Sequence, residues 1–217
     1  MMTPGARADF IRKHTEVLPV PLVPELKLHL AHEAVPLWQK TEEELGEMGL
    51  PPPFWAFAWA GGQALARHVL DHPGLVTGKH IIDLASGSGL VAIAALKAGA
   101  ASVLAADIDT FAAAAMQLNA ARNGVAFEVT TDDLLQEAAP AADMILVGDL
   151  FYEQGLAARC FSWLTNAKAK GAEVLIGDPG RSYLPKDKLI RIADYAVPVT
   201  RDLEDAEIKK TAVWQLK

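Results

Sequence analysis

Five aspartates, Asp83, Asp107, Asp132, Asp149 and Asp178, each follow an apolar run, and a glycine-rich turn, Gly87-Ser88-Gly89, comes just after the first of them. In an open α/β sheet the ligand lies outside the carboxyl ends of the strands. A row of carboxylates at such ends suits a ligand that presents hydroxyls, amino groups or positive charge. Gly87 and Gly89 permit positive φ and a close backbone approach. The N–H groups at the start of the following segment, Leu90–Ala98, offer donors to polar atoms.

From Gly87 to Ala92 the pattern Gly-x-Gly-x-x-Ala satisfies the relaxed dinucleotide fingerprint, with Asp107 at about the expected 20 residues beyond. Asp83 weighs against a dinucleotide, because a carboxylate at the strand end repels a pyrophosphate and attracts a cation. S-adenosylmethionine carries an ammonium and a sulfonium and no phosphate, so the loop reads as a methyl-donor site. Position then assigns the contacts. Asp107 accepts the ribose hydroxyls, and Asp132 accepts the adenine amino group, with Ile108 or Leu134 packing on the ring. Asp83, with Ala85, Ser86, Gly87 and Gly89, organises the loop and the donor's ammonium, and Asp149 lies nearest the transferred methyl. Each aspartate also has a plain reading as a helix cap, strongest for Asp109 and Asp133.

A second unusual stretch is Phe54-Trp55-Ala56-Phe57-Ala58-Trp59-Ala60-Gly61-Gly62. Its alternating rings fit either a packing cluster over the sheet or a lid over a ligand. As a lid, Trp59 and Gly62 touch the donor, and the glycine pair lets backbone come close.

The elements that must position these groups alternate. Strands are expected at Ile81–Leu84, Ser102–Ala106, Ala126–Thr130, Ala142–Val147 and Ala172–Ile176. Helices are expected at Pro4–His14, Gln63–Leu70, Leu90–Ala98, Phe111–Arg122 and Gly155–Ala169. Such alternation predicts a parallel sheet with helices on both faces. Leu189–Ala193 reads as a short helix. Tyr195–Thr200 and Thr211–Leu216, joined only by a polar connection, read as an antiparallel hairpin at one edge. The prolines of Leu18–Pro24 predict an extended surface arm, Leu26–Ala31 a short strand, and acidic Thr41–Met48 a helix or turn. The fold class is thus α/β, a seven-stranded, mostly parallel Rossmann-like sheet ending in a hairpin. One domain spans 1–217, with an arm and accessory elements over 1–52 and a catalytic core over 53–217.

Composition bounds the partners. The 217 residues carry a net charge of −7, 51% hydrophobic residues and a single cysteine. That balance is globular and disfavours a broad nucleic-acid footprint. One cysteine excludes an intramolecular disulfide and a cysteine metal cluster, so no metal is expected and a reducing cytoplasm is the expected setting. No run suits a membrane span. A monomer is expected.

The segments Pro53-Phe54-Trp55 through Trp59-Ala60-Gly61-Gly62-Gln63, then Asp83-Leu84-Ala85-Ser86-Gly87-Ser88-Gly89, Ala106-Asp107-Ile108-Asp109, Gly148-Asp149-Leu150-Phe151-Tyr152 and Gly177-Asp178-Pro179-Gly180-Arg181 together resemble the lysine methyltransferases of the electron transfer flavoprotein β subunit. These are seven-strand protein methyltransferases. The resemblance runs from Pro53 to the C-terminus. It departs at Pro52-Pro53, where the family often has Asp-Pro, at Ala60, where a proline is usual, and at Ala85, where a glycine is common. It implies S-adenosylmethionine as donor, S-adenosylhomocysteine as product, and the flavoprotein β subunit as protein partner.

The chemistry expected is in-line attack of a neutral lysine amine on the sulfonium methyl, with neither metal nor covalent enzyme intermediate. Asp149 and Tyr152 orient the amine. Trp55, Trp59 and Phe151 line a channel around the lysine stem, although Phe151 reads equally as core. Arg181 either clamps a substrate carboxylate or pairs with an acidic neighbour. The alternatives are a small-molecule or ribosomal-protein N-methyltransferase and, further off, an NAD-dependent oxidoreductase or a non-enzymatic binding module. A nucleic-acid amino methyltransferase is disfavoured, because Asp149-Leu150-Phe151-Tyr152 lacks the paired prolines of the base-stacking motif.

Overall fold

The computed structural model describes residues 2–31, 52–199 and 207–217. The helix or turn expected at Thr41–Met48 lies outside them. The chain opens with helix α1 (Pro4–His14), where Pro4 occupies the first turn and the Thr3 hydroxyl accepts from Ala6 N. Strands β1 (Glu16–Val20) and β2 (Val23–Leu30) follow as an antiparallel pair. The expected surface arm is therefore a hairpin, with Val20, Val23, Leu26 and Leu28 buried. A two-stranded sheet has only edge strands, and these tolerate Pro19 and Pro24 where a central strand would not.

Beyond a one-turn 3-10 helix at Phe54–Ala56 come α2 (Ala60–Asp71), β3 (His80–Leu84), α3 (Leu90–Lys97), β4 (Ser102–Ala106), α4 (Thr110–Arg122), β5 (Glu128–Thr130), β6 (Met144–Gly148), α5 (Gln154–Ala169), β7 (Glu173–Asp178), β8 (Leu189–Pro198) and β9 (Ile208–Leu216). The larger sheet runs β5-β4-β3-β6-β7-β9-β8, parallel from β5 to β7, with β9 antiparallel to both of its neighbours. Chain direction across the sheet reverses between β3 and β6, so a crevice opens at their carboxyl ends.

Two expectations about the elements are corrected. Leu189–Ala193 is the first half of β8, not a helix. On this edge strand Ile190, Arg191 and Ile192 are exposed in succession across a bulge, so the local pattern lacks strict alternation. The crossover from β5 to β6 carries only a single 3-10 turn, Leu134–Gln136, instead of a helix.

Central strands are apolar on both faces because both are covered. Ile81, Val103, Leu146 and Leu175 pack with α2, α3, α4 and the N-terminal hairpin, whereas Ile82, Ile145, Val147 and Ile176 pack with α5. Helix α2 approaches the sheet so closely that a Cβ on Gly61 would lie 2.1 Å from the Gly177 carbonyl oxygen. Gly61 therefore serves helix-to-strand packing instead of ligand approach.

Candidate active site

The crevice holds a cavity of about 460 Å³, with the ends of β3, β4 and β6 on one side and the aromatic stretch on the other. Its floor is the loop after β3. Asp83 is 1% exposed, and its Oδ2 accepts from Ser86 Oγ at 2.5 Å and from Ala92 N at 2.9 Å, in the first turn of α3. Burial pushes this carboxyl up to about 7, against the two hydrogen bonds, and Asp107 nearby adds to the rise. Asp83 thus binds the loop to the helix it precedes. Ala85 holds φ of 54°, which a side chain rarely adopts. A left-handed alanine costs about 1–2 kcal/mol. Ala85→Gly should therefore stabilise the protein by about 0.5–1 kcal/mol, after the extra freedom glycine gives the unfolded chain. Denaturant titration of the two proteins checks this.

Asp107, at the end of β4, accepts from Gly87 N at 2.9 Å through one oxygen and from Asp109 N at 3.0 Å through the other. Each oxygen keeps a lone pair, and burial raises the carboxyl. Ile108 beside it is 67% exposed, an apolar side chain over the cavity. Asp132 and Leu134 complete that end, where Asp132 is exposed and accepts from Thr130 Oγ1 at 2.7 Å. Asp109 and Asp133 are helix caps, accepting from Phe111 N and Leu135 N, and Asp133 also pairs with Arg159.

Asp149 stands at the end of β6 in a left-handed backbone conformation, φ 53°. Its Oδ2 accepts from Gly62 N at 2.9 Å, in the first turn of α2, and its Oδ1 accepts from Arg181 at 2.9 Å. Helix α2 has no capping side chain of its own, so a carboxylate 87 residues away caps it. Burial pushes Asp149 up to about 6. Arg181 and the Gly62 N–H oppose the rise, and Asp178 reinforces it. Arg181 thus pairs with an acidic neighbour, and its guanidinium lies 5.8 Å over the Trp59 ring. Asp178 itself sits behind the wall, accepting from Gly180 N and Arg181 N through Oδ1 and so shaping the loop that aims Arg181.

The aromatic stretch divides its labour. Trp59 faces the cavity, and its indole donates to the Phe54 carbonyl at 2.9 Å. Phe54 and Tyr152, 37% and 47% exposed with ring centroids 5.9 Å apart, form the rim. Trp55 was expected in the acceptor channel. It lines the cavity, 1% exposed and stacked on Phe111, so it stiffens the wall from inside. Phe151, 0% exposed, belongs to the core under α5. Gly89 sits between Ser88 and Leu90, which line the cavity. At φ of 82° it turns toward Met116, 3.2 Å from where a Cβ would sit, and away from the cavity. Phe54 was missed because only the fold puts its ring beside Tyr152, nearly a hundred residues on.

Comparison with known proteins fits this geometry. Residues 64–148 match the family model of the ribosomal protein L11 methyltransferase (PrmA). Among solved structures, a ribosomal protein L11 methylase from Lactobacillus delbrueckii subsp. bulgaricus superposes with TM-score 0.52 at 22% identity, over 74% of this chain and 81% of that one. Magnesium protoporphyrin IX methyltransferase from Synechocystis, with bound SAM, gives 0.53 at 18% identity, over 72% of this chain and 80% of that one. Those two share the fold. The electron transfer flavoprotein beta subunit lysine methyltransferases of Rattus norvegicus and Homo sapiens are 37% and 34% identical to this chain, each over 94% of it and over 82% and 80% of their own lengths. Similarity of that extent takes in the stretch from the donor loop to Arg181, and the chain belongs to the electron transfer flavoprotein β subunit lysine methyltransferase family.

Proposed function

We propose that this methyltransferase uses S-adenosylmethionine to methylate lysine side chains of the electron transfer flavoprotein β subunit. The observation that carries the reading is Asp149, a carboxylate only partly exposed and with both oxygens held, facing a cavity walled by aromatic rings and floored by a glycine-rich loop. The residues fit the donor. Asp107 keeps a free lone pair on each oxygen for a diol, Ile108 offers an apolar surface for a flat ring, and Gly62 lines the cavity with backbone alone. When bound, the donor supplies an electrophilic methyl on a sulfonium that leaves as a neutral thioether.

The chain's own groups do the rest. Asp149, ionised above pH of about 6, draws the lysine ammonium inward. Trp59 and the Phe54–Tyr152 rim enclose the lysine stem and exclude water. Cation–π attraction holds the charged form at the entrance. Desolvation deeper in then favours release of the proton to water at the open entrance, leaving the amine lone pair free to attack.

The ribosomal-protein alternative draws on the L11 family match, which covers residues 64–148. That stretch holds the donor-site residues from Asp83 to Asp132. It ends before Asp149, Tyr152 and Arg181, so it bears on the donor more than on the acceptor. Intact mass of purified flavoprotein β subunit, after incubation with the enzyme and donor, tests the proposal. Whole methyl increments mapped to lysine are expected. An unchanged mass, with donor binding shown by calorimetry, would refute the acceptor and keep the donor.

A further inference from the structure

We propose that Asn119 is a positioning residue for the donor loop, and that through it the N-terminal hairpin forms part of the donor site. The inference rests on the donor reading above and deepens it. Asn119 lies on α4 and is 0% exposed. Its Nδ2 donates to the Ser88 carbonyl at 2.8 Å, in the centre of Gly87-Ser88-Gly89. Its Oδ1 accepts from His29 N at 2.7 Å, on β2. One carboxamide therefore joins the loop to a strand that precedes it by nearly sixty residues.

The chemistry is specific to an amide of this length. The group must donate at one end and accept at the other, which neither a carboxylate nor an apolar side chain can do. The Ser88 carbonyl is buried with its residue, 5% exposed, and loses its partner if the amide is removed. The neighbouring glycine shows how tightly α4 backs the loop, since a Cβ on Gly89 would also lie 3.4 Å from Met116 Cα. A second buried carboxamide repeats the arrangement on the opposite wall. Gln63, 1% exposed, accepts from Leu22 N at the hairpin turn and donates to Ala58 O in the aromatic stretch at 2.6 Å. The hairpin end bonds there too, with Ala31 N donating to Ala56 O at 2.9 Å. The hairpin thus reaches the donor loop and the aromatic wall through separate contacts.

Asn123, four residues on at the C-terminal cap of α4, supplies the control. It accepts from Lys27 N at 3.1 Å and donates to Lys27 O at 2.7 Å and to the Asn119 carbonyl at 2.8 Å, so it holds the hairpin to the end of α4 without touching the loop. The test compares full-length Asn119→Asp and Asn123→Asp with the wild type, reading donor affinity by calorimetry and hydrogen exchange at the amides of residues 86–90. Asn119→Asp keeps the His29 bond and sets an oxygen against the Ser88 carbonyl. The donor dissociation constant should rise about tenfold, the magnitude of one lost buried hydrogen bond. The loop amides should exchange faster in the donor-free protein, and kcat at saturating donor should hold within about twofold. Asn123→Asp should lower the melting temperature with donor affinity within about twofold of wild type.

Equal effects of the two substitutions on donor affinity, or none from Asn119→Asp, would overturn the proposal. Should Asn119→Asp fail to fold, Asn119→Ala, which removes the bond to Ser88, gives the same contrast. Absence of donor binding by the wild type would refute the donor reading. The exchange contrast would still decide whether Asn119 fixes the loop.

Discussion

In the Asp107→Ala variant, the dissociation constant for S-adenosylmethionine is expected to rise ~100-fold or more, measured by calorimetry. A hydrogen bond to an ionised group contributes about 1.5–3 kcal/mol, and a diol would make two to this carboxylate. The substitution also frees Gly87 N and Asp109 N, both held by Asp107, so part of the loss is looser loop geometry. Asp107→Asn separates the two contributions. An amide oxygen can still accept from one backbone N–H, but the charge is gone. An intermediate affinity, with melting temperature close to wild type, would assign the remainder to the diol. Unchanged affinity in Asp107→Ala would remove this residue from the donor site.

Replacing Asp149 should do the opposite, keeping donor affinity within about threefold while kcat falls by ~100-fold or more, a loss of about 3 kcal/mol of transition-state stabilisation. Steady-state kinetics at saturating donor read this directly. The dependence on pH follows from the carboxyl standing at about 6, raised by burial and held down by Arg181 and the Gly62 N–H. As pH falls through about 6 the carboxylate takes up a proton, stops attracting the lysine ammonium, and kcat/KM should drop. Stability moves the other way. A carboxyl whose folded pKa is raised favours the folded state fully only below its unfolded value near 4, and that contribution is lost as pH rises through about 6. Between those limits the enzyme should therefore gain stability and lose activity on acidification. Asp149→Asn should abolish that part of both trends. An acid limb that survives in Asp149→Asn would assign the titration to another group.

Much of the donor site was legible because its signals are local. An apolar run ending in Asp83, a positive-φ glycine and an alanine-rich helix are neighbours in sequence, and their contacts, such as Ser86 and Ala92 to Asp83, span fewer than ten residues. What stayed hidden depended on long-range partners. Nothing near Trp55 says that it stacks on Phe111, and nothing near Gly61 says that its neighbour is Gly177. Proline punctuation was over-weighted at Leu18–Pro24, because a proline's cost depends on whether a second strand needs its missing N–H. On β8 the periodicity was blurred by the bulge at an exposed edge. The capping reading and the functional reading of the aspartates also proved compatible, since Asp83 and Asp149 both cap helices while facing the cavity.

The hairpin's attachment to α4 has a consequence in time. Lys27 and His29 bond to Asn123 and Asn119, partners 96 and 90 residues later in the chain. A ribosome adding about 5–20 residues per second needs roughly 5–20 seconds to deliver that stretch once the hairpin has been made. For that interval the apolar side of β1–β2 lacks α4, although α1 and α2 are made before it, and contacts of such long sequence separation form late in any case. The first strands to be synthesised are thus among the last to settle. Damage to this seam should register as poor yield during expression before it registers in the kinetics of the protein that does fold.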